Sequence, residues 1–232
     1  ITSPSVQLVN TTNIEIDSNT ITSGHTSVWV YGNSSAYTNN IIIRNNTMDS
    51  AYLYGTYIYF ADRTVFDGNV VNMRVMGPTA SYGLYLSNIN ASGTNFISVN
   101  GNQIYNAGQS GIYGYFANTT SSTSRSKMTN NVIGGNFRSA QANPLYMQYC
   151  YYWDIWHNSF VLNSPTGSEQ YSTAYFTNCT QLDVRNNHFA NIATSGTGLP
   201  FFAAATNQFT TLDFNNYYNQ VGSSLLNLGG IA

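Results

Sequence analysis

One short pattern recurs along most of the chain and limits the folds open to it. In Ile14-Glu-Ile16-Asp-Ser-Asn19-Thr-Ile21, two alternating apolar residues precede two polar ones, then Asn, any residue and a third apolar residue. The order returns around Asn46 (Ile41 to Met48), Asn69 (Thr64 to Val71), Asn102 (Ile97 to Ile104), Asn131 (Ser126 to Ile133), Asn158 (Trp153 to Phe160) and Asn187 (Leu182 to Phe189). Successive Asn residues lie 27, 23, 33, 29, 27 and 29 residues apart. Such a period belongs to a repeat architecture whose unit is one supersecondary element. An eighth copy reads as Leu212-Asp-Phe214-Asn-Asn216-Tyr-Tyr218, one residue short.

A second strand-like stretch follows each copy: Val28 to Tyr31, Tyr57 to Phe60, Gly83 to Leu86, Gly111 to Phe116, Leu145 to Met147 and Ala174 to Phe176. Alternating character over four to six residues marks strands, and the Gly, Ser, Asn and Pro clusters between them mark turns. No apolar stripe at helical spacing is present. One such coil cannot bury its own inner face. Stacked coils can, with parallel strands about 4.8 Å apart, so eight coils make a rod roughly 35–40 Å long. Residues such as Leu182 and Val184 then point inward and Asp183 points out. The recurring Asn carries both donors and an acceptor, so stacked amides satisfy one another and the turn backbone. Aspartate cannot donate and would break that chain of bonds.

The unit Ile97-Ser-Val99-Asn-Gly-Asn102-Gln-Ile104, with Asn106-Ala-Gly108 and Gly111-Ile112-Tyr113 after it, resembles the repeat of right-handed parallel β-helix proteins of the pectate-lyase-like superfamily. The resemblance covers nearly the whole chain. It implies an all-β fold, a right-handed parallel β-helix of about eight coils with an internal Asn ladder, forming one domain over residues 1–232. That superfamily includes lyases, hydrolases, epimerases, phage tailspikes and adhesins, so function has to be argued from the site.

Composition narrows the classes. Charged residues are 7% of the 232, and the formal net charge is −2. Without a basic field to neutralise phosphates, nucleic acid is excluded as the expected partner. No run approaches the about 20 apolar residues of a membrane span. A low-charge surface rich in Asn, Thr and Tyr points to an extracellular protein, secreted or at the cell surface. Both ends read as cuts through a longer polypeptide, with flanking domains or self-association expected to protect the pairing edges of the solenoid.

Two columns carry candidate chemistry. The outward position of the first strand holds Glu15, Ile42, Val65, Ser98, Lys127, Asp154, Asp183 and Asp213, which places three aspartates on consecutive coils. Arg185 lies on the same face, and His157 and His188 are near in sequence. Asp154, Asp183, Asp213 and Arg185 can be read as the site of a polysaccharide lyase or glycoside hydrolase, with calcium at Asp154 and Asp183. The reading favoured over that one is a charge-balanced exposed row. In enzymes of the resembled superfamily, acids and bases stand outward on the other strand. There this chain has Tyr59, Tyr85, Tyr115, Tyr146 and Tyr175, aligned by counting back from the following Asn. A row of aromatic rings suits a sugar or a protein surface, or it stabilises adjacent strands and nothing more.

Cys150 and Cys179 are 29 residues apart and should be vertical neighbours. They read as two buried free thiols, since a disulfide between directly stacked strands is geometrically demanding. The longest loops, Met73 to Ser81, Gly134 to Asn143 and Asn163 to Ser172, are polar and carry no specific chemistry. The first expectation is therefore a non-catalytic module that binds a polysaccharide, a cell-surface glycan or another surface through its tyrosines, with no cofactor. A lyase or hydrolase with possible calcium is the second. A structural segment of a fibre, adhesin or phage tailspike, partnered by copies of itself, is the third.

Overall fold

The computed structural model describes residues 3–120, 122–163 and 172–229. Strands repeat in the order A, B, C around each coil. Sheet A has nine strands, from Val6–Val9 to Leu226–Leu228. Sheet B has eight, from Thr12–Asp17 to Phe209–Asp213, and sheet C has eight, from Thr20–Thr22 to Asn216–Asn219. Each strand pairs in parallel with its equivalent one coil away, as in Leu84↔Ile112, Lys127↔Asp154 and Phe160↔Phe189. The Asn163 to Ser172 loop lies mostly outside the described residues, as do the outermost residues of both ends.

The apolar positions of the repeat fill the bore. Ile43, Phe66, Val99, Met128, Ile155 and Val184 stack from sheet B, and Met48, Val71, Ile104, Ile133, Phe160 and Phe189 from sheet C, all fully buried. At Gly83 and Gly111 sheet A comes so close to sheet C that no side chain fits. A Cβ on Gly83 would meet Ile104 Cγ2 at 2.2 Å, and one on Gly111 would meet Ile133 Cγ2 at the same distance. That approach explains the Gly of the Gly-Ile-Tyr stretches.

The Asn ladder runs along the corner between sheets B and C. The Oδ1 of Asn131 accepts from the backbone N–H of Asn102 and from its Nδ2, each at 2.9 Å. Its own Nδ2 donates to Val99 O and to Asn158 Oδ1, both at 2.8 Å. The same pattern links Asn19, Asn46, Asn69, Asn102, Asn131, Asn158 and Asn187. The amide's two donors and two lone pairs are all used, which the sequence-based argument required. The residue before each ladder Asn is left-handed, with φ from 54° to 67° at Ser18, Asn45, Gly68, Gly101, Asn130, His157, Asn186 and Phe214. Gly and Asn tolerate that bend best, so Gly-Asn and Asn-Asn pairs recur.

The eighth ladder residue is Asn215, not Asn216. Asn187 donates from its backbone N and from Nδ2 to Asn215 Oδ1, both at 3.0 Å. The eighth coil is therefore complete, with Leu212 inward opposite Val184. Reading it one residue short came from anchoring the wrong member of Asn215-Asn216. Here the left-handed bend falls on Phe214, an aromatic residue that gives no sequence signal for it.

Cys150 and Cys179 are free and buried, 0% and 2% exposed. Burial, reinforced by the neighbouring Cys179, raises the Cys150 thiol well above its ordinary value, and the thiolate is the reactive form. An aromatic disulfide reagent is expected to leave the native protein unmodified at neutral pH and to titrate two thiols per chain in denaturant. Prompt native-state reaction would show that this corner opens.

Candidate functional site

The outer face of sheet A carries the aromatic column. In register, Trp29, Tyr57, Tyr85, Tyr113, Tyr146, Tyr175 and Phe202 lie side by side. From Tyr85 onward the rings stack: Tyr85–Tyr113 at 4.6 Å and 17°, Tyr113–Tyr146 at 4.7 Å and 4°, Tyr146–Tyr175 at 5.0 Å and 5°, Tyr175–Phe202 at 4.7 Å and 10°. Tyr57 meets Tyr85 edge-on at 83°, which breaks the stack.

Tyr85, Tyr146 and Tyr175 thus share a column, but Tyr59 and Tyr115 do not belong to it. They stand two residues further along, in a row with Tyr31, Ser87 and Gln148. Counting back from the next Asn fails because the corner between sheets A and B varies in length. Tyr82–Ala91 and Ser110–Thr119 each run ten residues, bent at Asn88 (φ 52°) and Phe116 (φ 49°). Tyr57 and Tyr113 are members of the column itself.

Face-to-face stacking has a chemical consequence. Each ring face from Tyr113 to Tyr175 is covered by a neighbour, so the strip offers ring edges and hydroxyls outward. Burial, with nearby tyrosines adding to it, pushes the Tyr85 and Tyr146 phenols up to about 12 and Tyr113 higher still. These hydroxyls stay protonated and neutral and do not serve as bases near neutral pH.

A groove of ≈ 320 Å³ lies on this face, lined by Tyr82, Gln109, Tyr113, Gln141, Asn143, Tyr146 and Tyr175. Tyr82 Oη donates to Gln109 Oε1 at 2.7 Å. Asn143 is held by the Ser172 backbone N–H on its Oδ1 and by Gln141 O on its Nδ2, both at 3.1 Å. Among the described residues, no carboxylate, imidazole or cation lines the groove. Gln109 and Gln141 were missed from sequence. The available signal was their place four and five residues before Tyr113 and Tyr146.

Sheet B carries the charge. The register confirms the outward column from Glu15 through Lys127 and Asp154 to Asp183. Asp213 is not its next member: the strand bulges at Leu182/Asp183, Thr211 lies opposite Asp183, and Asp213 falls beside Arg185. Leu212 pairs with Val184 rather than with Leu182, and from there to the ladder Asn the two coils run in step, which sets Asp213 at the height of Arg185. Asp154, 5% exposed, is ion-paired to Arg125, and Asp183 takes a two-pronged pair from Arg185. Arg185 also lies 5.1 Å over the Trp156 ring. A calcium ion at Asp154 and Asp183 would have to displace both guanidinium groups. Among the described residues, no three His, Cys, Asp or Glu side chains converge as a metal site. His157 occupies a left-handed ladder bend, and His188 Nδ1 lies 3.1 Å from Asn216 Nδ2.

No helix among the described residues is long and apolar enough to cross a membrane. No curated protein matches the chain, and no solved structure does. A family model described as a right-handed β-helix region matches residues 1–147, more than half the length. With three parallel sheets wound about one Asn-laddered bore, that match establishes that the chain belongs to the right-handed β-helix family.

Proposed function

We propose that this chain is a non-catalytic module of a secreted or cell-surface protein, and that it binds a glycan in the groove of sheet A. The supporting observation is the groove's composition: four phenols and three side-chain amides, without an acid, base or cation among the described residues. Neutral groups that both donate and accept match the hydroxyls of a saccharide. Because the ring faces are spent on one another, recognition runs through hydroxyls, amides and ring edges rather than through a sugar stacked flat on a ring. The enzyme reading has weaker support, since Asp154 and Asp183 are each spent on an arginine and Asp213 stands in another column.

Affinity electrophoresis against neutral and acidic polysaccharides, backed by a glycan array, tests the proposal. Retardation by at least one neutral polysaccharide is expected, with no new reducing ends or unsaturated products. Replacing Gln109 and Gln141 together by Ala removes two hydrogen-bonding groups at about 0.5–1.5 kcal/mol each, so affinity should fall about five- to 150-fold. Unfolding midpoints should barely move. Unchanged binding in that variant would move the site elsewhere, and released sugar would make the protein an enzyme.

A further inference from the structure

A second cleft, of ≈ 440 Å³, lies at the corner between sheets A and B, lined by Thr94, Phe96, Thr123, Ser124, Arg125, Lys127 and Asp154. It holds two cations and one carboxylate, in a chain with only seven basic residues. Arg125 is held rigidly. Its Nε is bonded to Asp154 Oδ1, and its Nη2 donates to Trp153 O and Gln181 O, both at 2.8 Å, reaching across two further coils. Among the described residues its Nη1 has no protein partner, and it is not sealed from solvent. Lys127, the only lysine of the chain, is exposed and forms no ion pair among the described residues. The Asp154 carboxylate beside it in register is already engaged by Arg125.

We propose that this cleft is a binding site for a tetrahedral oxyanion, a sulfate or phosphate group. The charge left over after the Arg125–Asp154 pair is one ammonium, and it shares the cleft with the unpartnered Arg125 Nη1 and the hydroxyl side chains of Thr94 and Ser124. A carboxylate is best held by a two-pronged arginine, and both prongs that could serve are occupied by Asp154 and backbone carbonyls. What remains is a point charge with several separate donors. That set fits three or four oxygens spread in space better than two in a plane. The cleft is on a different sheet face from the groove above and does not depend on its occupant.

The test is an NMR titration of the intact chain, following the backbone amides of Ser124 to Lys127, with chloride balancing ionic strength. Inorganic sulfate, inorganic phosphate, methyl phosphate and acetate are the probes. Sulfate or phosphate should give saturable shifts centred on these amides, with acetate about tenfold weaker or more. Lys127→Met, at an exposed position, should weaken the oxyanion about tenfold, the loss expected for one charge-assisted contact, and Lys127→Arg should retain most of it. Methyl phosphate binding as well as inorganic phosphate would identify a group carried on a larger ligand. Preference for the inorganic ion would identify a free anion. Linear shifts without saturation, equal binding by acetate, or undiminished binding in Lys127→Met would each overturn the proposal.

Discussion

Asn131→Ala is expected to cost about 3–6 kcal/mol, a large share of the roughly 5–15 kcal/mol that holds an ordinary domain together. The side chain is 1% exposed and sits in the middle of the ladder. Its loss leaves the Asn102 backbone N–H and one Asn102 Nδ2 hydrogen without partners and takes one donor from Val99 O. Each buried unsatisfied group costs about 1–3 kcal/mol, somewhat less where water can enter. Asn131→Asp separates donor from acceptor. A carboxylate there would face Val99 O and Asn158 Oδ1, both acceptors, so burial and repulsion raise its folded pKa above the unfolded value of about 3.9. Between those two pKa values the folded state holds a proton that the unfolded state has lost. The variant is therefore most stable below the unfolded pKa and loses stability as pH rises toward the folded one. Urea midpoints against pH would show this slope in Asn131→Asp and not in the parent. A pH-independent variant of parental stability would refute the ladder's role.

Trp153→Ala should be comparably severe. Trp153 is among the largest fully buried side chains, and its Nε1 donates to Ala117 O at 2.7 Å. Truncating a buried tryptophan costs about 3–5 kcal/mol through lost transfer energy and the cavity left behind, and here a carbonyl also loses its donor. The position shows why the void would persist: the coil before it presents only Ser126 in register. In a solenoid each coil is supported mainly by its neighbours, so weakening one loosens the coupling across it. Circular dichroism in urea should show a lowered midpoint and a broadened or split transition, because two-state behaviour fails when cooperativity is interrupted. A loss under about 1 kcal/mol would mean that the indole is not packed as described.

Much of the fold was legible in the residues, and some of the site was not. The seven Asn residues, the inward and outward alternation around Asp183 and the stacking of Cys150 on Cys179 all follow from a local pattern repeated along the chain. Tyr59 and Tyr115 were misplaced by a count carried across a corner whose length changes from coil to coil, and Asp213 by anchoring the last copy on Asn216 instead of Asn215. A shift of one or two residues moves a side chain to another row. Gln109, Gln141 and Arg125 lie outside the repeated pattern, because loops are free to vary in length and sequence.

Period and polarity alone specified a parallel coil, its amide ladder and its apolar bore, since those depend only on near neighbours and on what must be buried. Tertiary structure decided which rings stack, which aspartate meets which arginine and where neutral and charged faces lie. Those relations join residues about thirty positions apart through corners of unequal length, and only the hydrogen-bonded register between coils brings them to the same height.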